Sequence, residues 1–183
     1  MIAGSIIQKM PSAVYDDWQK TVEVLKLVPD NAASGFSVKS LPDWTLNKTI
    51  SEIKEITDTV VIEADLHYTL GLISSIEGLF NYQIKLFVSR KRKDKLAKVL
   101  RQKFKKIVKE DKQIRFDDIL DIWKKYDPAA QQQISTLRSF LKYRNWLAHG
   151  RHWKIQYWNC PDPNDVYLLY SALNKIIGFD LSC

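Results

Sequence analysis

From Thr45 to Val88 the chain contains no proline, and apolar residues recur through that stretch at three- and four-residue intervals. Proline removes a backbone donor and breaks helices, so its absence over such a length lets helical structure run on. Ile50, Ile53, Ile56 and Val60 open the pattern at near-helical spacing. Two helices or one bent helix would fit. Further along, Leu66, Leu70, Ile73, Glu77, Phe80, Ile84 and Phe87 alternate four- and three-residue steps and so draw one stripe along a helix. No stretch of useful length alternates apolar with polar residues, so strands do not compete with this reading.

Glu77 interrupts that apolar seam. A carboxylate among core positions is costly unless it is paired or hydrogen-bonded. Either a partner comes from elsewhere in the chain, or the stripe is wider than drawn, with Ile76 and Leu79 inside it and Glu77 at its wet edge.

The remaining segments continue in the same manner. Leu96, Val99, Leu100, Phe104, Ile107 and Val108 give one narrow apolar face, with lysines on the rest. Phe116, Ile119, Leu120, Trp123 and Tyr126 form a shorter amphipathic piece that stops at Asp127-Pro128. Ile134, Leu137, Leu141 and Ala148 mark the inner face of a helix ending at Gly150. Asn164 or Asp165 can cap a last helix with Val166, Leu169, Tyr170, Leu173, Ile176 and Ile177 inward, closed by Gly178. Residues 1–44, broken by Pro11, Pro29 and Pro42, read as short helical pieces, one over 12–28, joined by loops. With 183 residues, 45% of them hydrophobic, the chain can bury one full core. The expectation is all-α: an up-and-down bundle of about five main helices over 45–183, preceded by an N-terminal extension, in a single domain.

Two cysteines, Cys160 and Cys183, are too few for a disulfide scaffold, and neither has a further Cys or His at metal-ligand spacing. A cytoplasmic setting is expected. The opening residues read as neither a secretory leader nor a membrane span, and no other segment reads as one. The phosphate-binding glycine loop, HExxH, CxxC and nucleophile elbow are missing from the sequence, so no metal or cofactor is expected.

The formal charge of +7 is concentrated: Lys85 to Lys112 holds thirteen Lys or Arg against three acidic residues, a local +10. A basic face gathers polyanions and binds phosphate backbones in a salt-dependent way, though it also serves simply as a solvated helix face. Lys98, Lys105 and Lys109 on this segment, with Arg151 further on, are the candidate RNA-binding residues.

Only His67, His149 and His152 can titrate near neutrality as imidazoles. His67, on the long helix, reads as a core or edge histidine. His149 follows Arg144 by five residues and Asn145 by four, in the string RNWLAHG. Phosphoryl transfer needs a group that moves a proton and donors for the charge developing on phosphate. This cluster supplies both kinds, although such residues at a helix end also act merely as dipole partners. Five helical residues leave Arg144 and His149 about 140° apart around the axis. They do not share a face, and a site built from two copies of the helix would solve that problem.

The string FLKYRNWLAHGRHW resembles the RxxxxH motif of the HEPN superfamily, with Arg144, Asn145 and His149 in the motif positions. The run of helices from Thr45 to Gly178, with the motif on the penultimate one, is similar to that family's bundle. The resemblance implies a metal-independent endoribonuclease that acts as a homodimer, often in toxin–antitoxin, abortive-infection or other defence systems. It implies that His149 moves protons, that Arg144 holds the scissile phosphate and that Asn145 orients one of them. It also implies a polar residue on the earlier long helix aimed at the motif, for which Glu77 is the match. Some relatives carry a modifiable Tyr two residues after the His; here Arg151 stands there, so neutralisation at that position is not implied. Other members of the superfamily are noncatalytic and serve as nucleic-acid-binding or dimerisation modules.

Overall fold

The computed structural model describes residues 9–35, 41–89, 95–109, 115–149 and 160–179. Among them the regular elements are six α-helices: α1 (Pro11–Ala33), α2 (Ile50–Ser89), α3 (Lys95–Lys109), α4 (Phe116–Tyr126), α5 (Gln131–Ala148) and α6 (Pro163–Ile177). Short 3-10 turns stand at Asp43–Thr45 and Pro128–Ala130.

The proline-free stretch forms one helix of 40 residues, about 60 Å long. Its start is capped reciprocally. The backbone N–H of Thr49 donates to Glu52 Oε2 at 2.7 Å, while the Glu52 N–H donates to Thr49 Oγ1 at 3.3 Å. Two hydrogen bonds from Thr49 hold the Glu52 carboxyl below its ordinary value of 4.5. In its first half α2 buries Ile53 and Thr57, whereas in its second it buries Leu72, Ile73, Ile76, Phe80, Gln83, Ile84 and Phe87. Ile53 lies about 180° around the helix from Phe80. The helix serves α1 as well as the later helices, and its buried residues change phase along its length.

The second face carries the main core. Phe80 sits at its centre, edge-on to Phe116, Trp123 and Phe179 with ring centroids 5.8, 5.1 and 5.1 Å away. Phe87 stacks on Trp123 at 5.6 Å. α3, α5 and α6 all touch α2, and α4 touches α3 and α5.

The N-terminal region departs from the sequence expectation of short pieces. α1 runs unbroken through Pro29, which supplies no N–H to the helix. Packing offsets the loss. The Trp18 indole N–H donates to Asp65 at 2.7 Å, Thr21 and Tyr68 share a hydroxyl hydrogen bond at 2.9 Å, and Tyr15 stacks on Tyr167 of α6 at 4.0 Å. In the first half of α2, Ile50, Val60 and Ile62 stay exposed, and so does His67.

Helix α6 also starts differently from its expected caps at Asn164 or Asp165. Asp162 caps it, accepting from the Asp165 N–H at 2.8 Å, while the Asp165 carboxylate accepts from the Asp162 N–H at 3.3 Å. Pro163 in the first helical position needs no donor there, which favours a start one residue after Asp162. Gly178 closes the helix in the left-handed region, at φ 61° and ψ 66°.

Candidate active site

Helix α5 continues directly from the turn that Pro128 opens, and Ile134 and Leu137, both fully buried, fasten it to the core. Tyr143, 3% exposed, joins them and stacks on Trp146 at 5.6 Å. Ala148, expected on the inner face, is exposed instead, as is His149. Both stand at the end of the helix. Gly150 and the residues up to 159, including Arg151 and His152, lie outside the described residues.

The last two turns of α5 bring together three of the expected site residues. Arg144 Nη2 donates to Glu77 Oε2 at 3.0 Å, and Arg144 Nη1 donates to Asn145 Oδ1 at 2.9 Å. The two ion-pair side chains are 30% and 26% exposed. Both readings of Glu77 thus combine: it stands at the edge of the α2 seam and is paired there with a cation. A guanidinium has five N–H donors and these bonds engage two, which leaves donors for an incoming anion.

His149 follows as the residue that ends α5, with φ −92° and ψ 18°, and its backbone N–H donates to the Asn145 carbonyl at 3.0 Å. Asn145 thereby bonds Arg144 through its side chain and His149 through its main chain. By helical phase Asn145 and His149 are about 40° apart, whereas Arg144 is turned about 100° from Asn145, toward α2.

Extending the Asn145–His149 line back along α5 gives Lys142 and Arg138, two residues that sequence reasoning passed over. Arg138, Lys142, Asn145 and His149 fall within about 60° of one another. Their spacing is the signal that could have found them. Arg138 Nη2 donates to the Asp117 carbonyl at 3.0 Å and to Asp121 Oδ1 at 2.6 Å, both on α4. Asp117, Asp121, Arg138, Leu141, Lys142 and Asn145 line a groove of about 300 Å³ between the two helices.

On the basic helix α3, Lys98 and Lys105 are exposed, and Lys103 approaches Asp118 of α4 at 3.9 Å. The Lys109 side chain lies outside the described residues. Helix α4 is in contact with both α3 and α5.

Fold and site together define an all-α protein with an arginine–carboxylate–amide cluster at a helix end. No family model, curated protein or solved structure matches the chain. Among the described residues, no helix is long and apolar enough to cross a membrane.

Proposed function

We propose that this protein is a metal-independent endoribonuclease of the HEPN type, working in the cytoplasm as a toxin or antiphage-defence effector. One observation carries the reading: Arg144 is held by Glu77 and Asn145 while His149 ends the same helix one turn on. The arrangement joins an oriented guanidinium to a titratable imidazole, the two groups that RNA cleavage by its own 2′-hydroxyl requires.

In this reaction His149 takes the 2′-hydroxyl proton as the 2′-oxygen bonds to phosphorus. The bond from phosphorus to the 5′-oxygen breaks, and that oxygen leaves with a proton. Arg144 offsets the charge on the phosphate oxygens, and Glu77 and Asn145 hold its guanidinium in place. The products are a 2′,3′-cyclic phosphate and a 5′-hydroxyl. The offset between Arg144 and His149 favours a homodimer in which the two α5 ends face each other across a two-fold axis, so that a second His149 serves as proton donor. An antitoxin protein would complete the toxin assignment.

The test incubates RNA with the wild-type chain and with His149→Ala, each with and without EDTA, followed by end-group analysis. Cleavage that survives the chelator, leaves 5′-hydroxyl ends and disappears in the variant is the expected result; 5′-phosphate ends or loss with EDTA would overturn it. A second reading, a noncatalytic helical module that binds nucleic acid or nucleotide and mediates dimerisation, is favoured by the same ion pair, since Glu77 and Arg144 also fasten α5 to α2. It expects RNA binding without cleavage.

A further inference from the structure

The groove between α4 and α5 lies outside the cluster that the proposed chemistry uses, yet it shares Asn145 with that cluster. Its α5 wall is the face that runs on to His149. A strand lying in it would pass Asn145 before reaching the imidazole. The two aspartates are balanced by Arg138 and Lys142, so the lining as a whole is neutral. A phosphate gains little from such a surface, whereas a flat, uncharged group with polar edges suits it. Leu141 supplies an apolar patch for the face of that group.

The polar groups are not equivalent. Asp121 is committed to Arg138 at 2.6 Å, and Arg138 is committed to α4 through two hydrogen bonds, leaving its buried Nε–H with no partner. Asp118, next to Asp117 in the chain, is drawn toward Lys103 at 3.9 Å. Asp117 lines the groove and is exposed, and its carboxylate holds no hydrogen bond or ion pair among the described residues; Lys142 is likewise exposed. A carboxylate accepts two parallel hydrogen bonds, and a neighbouring ammonium donates one. Of the four RNA bases, guanine alone offers two adjacent donors, N1–H and the 2-amino group, followed by an acceptor, O6. Adenine, cytosine and uracil each place an acceptor where the second donor is needed, or lack it. Single-stranded RNA presents these edges once its bases are splayed from the stack.

We infer that the α4–α5 groove is a base-recognition subsite that seats a guanine next to the scissile phosphate, with Asp117 accepting from N1–H and the 2-amino group and Lys142 donating to O6. The inference rests on the ribonuclease reading for the identity of the ligand as RNA. It gives the enzyme a sequence preference that the motif by itself does not supply, because phosphate contacts position a strand and base edges specify it.

The experiment uses single-stranded RNAs of one sequence that carry guanosine, inosine or adenosine at one position, the remainder being free of guanosine. Inosine lacks only the 2-amino group. Wild-type protein should cleave beside guanosine roughly tenfold or more faster than beside inosine or adenosine. Asp117→Asn presents an amide N–H₂ to one of the guanine donors and should collapse the ratio toward one, while Asp118→Asn, whose side chain is outside the groove, should keep it. Cleavage with equal rates at the three bases, or a guanosine preference that Asp117→Asn leaves intact, overturns the inference while the ribonuclease reading stands. The same strands with 2′-O-methyl groups throughout lack the nucleophile and report binding alone. Should no strand be cleaved, a guanosine-over-inosine affinity ratio that Asp117→Asn removes keeps the subsite and discards the ribonuclease, and equal affinities discard both.

Discussion

Replacing Glu77 or Arg144 by glutamine removes one charge of the pair that ties the motif helix to α2 and nearly keeps the shape. The N···O distance is 3.0 Å. At that separation Coulomb attraction is about 1.4 kcal/mol in bulk water and about 5.5 kcal/mol at an effective dielectric of 20. The side chains are 30% and 26% exposed, which puts the pair between a surface bridge and a buried one. Solvent screens part of the attraction, and desolvation and side-chain ordering offset more, so a net coupling of about 1–2 kcal/mol is expected. A double-mutant cycle reads this directly, with Glu77→Gln, Arg144→Gln and the double variant each unfolded in urea. The double variant should lose less stability than the sum of the singles by that coupling. Arg138–Asp121 is the internal comparison: it is shorter, 2.6 Å, but Asp121 is 64% exposed, so its coupling should fall below about 1 kcal/mol. Additive single variants at Glu77 and Arg144, or a coupling no larger than that of Arg138–Asp121, would refute the argument that partial burial gives this pair its strength.

Gly71→Ala should stabilise the protein by about 0.5–1 kcal/mol, because α2 loses an interior glycine and the new Cβ meets Val14 Cγ1 at an ordinary 3.6 Å; thermal melting should show a rise of a few degrees, and a fall would mean that α1 and α2 are packed too tightly there. The Glu52 carboxyl is held low in the folded state, so its contribution to stability is present above the ordinary value of 4.5 and fades as pH falls through the lower folded value. Glu52→Gln should flatten that acid limb of the stability–pH profile, and an unchanged profile would remove the Thr49–Glu52 cap as its source. Reversing Lys98 and Lys105 to Glu should weaken RNA binding and reduce its dependence on salt, since fewer counterions are released on association; an unaltered affinity and slope would take the basic helix out of RNA binding.

The sequence by itself determined the class of fold and most of the helices. Periods of three and four residues are local, and Ile119, Leu120 and Trp123, or Val166, Leu169 and Leu173, record their own burial wherever the helix is finally placed. The same periodicity made Glu77 conspicuous as a carboxylate in an apolar seam. Its partner was not legible, because Arg144 lies 67 residues away and only the packing of α5 on α2 brings the two within 3.0 Å. Tertiary structure also decided why the buried stripe of α2 changes phase between Ile53 and Phe80: α1 and the later helices all pack on this one helix, and no local spacing states which neighbour arrives. Capping shows both sides of this division. Gly178 could be read because a left-handed residue is a local requirement, while Asp162 was missed in favour of its neighbours because the choice among several acidic and amide residues depends on where Pro163 lets the first turn begin. The groove beside Asn145 belongs wholly to the assembled fold, since its walls, Asp117 and Asp121 on one side and Arg138 and Lys142 on the other, become one surface only when α4 and α5 lie side by side.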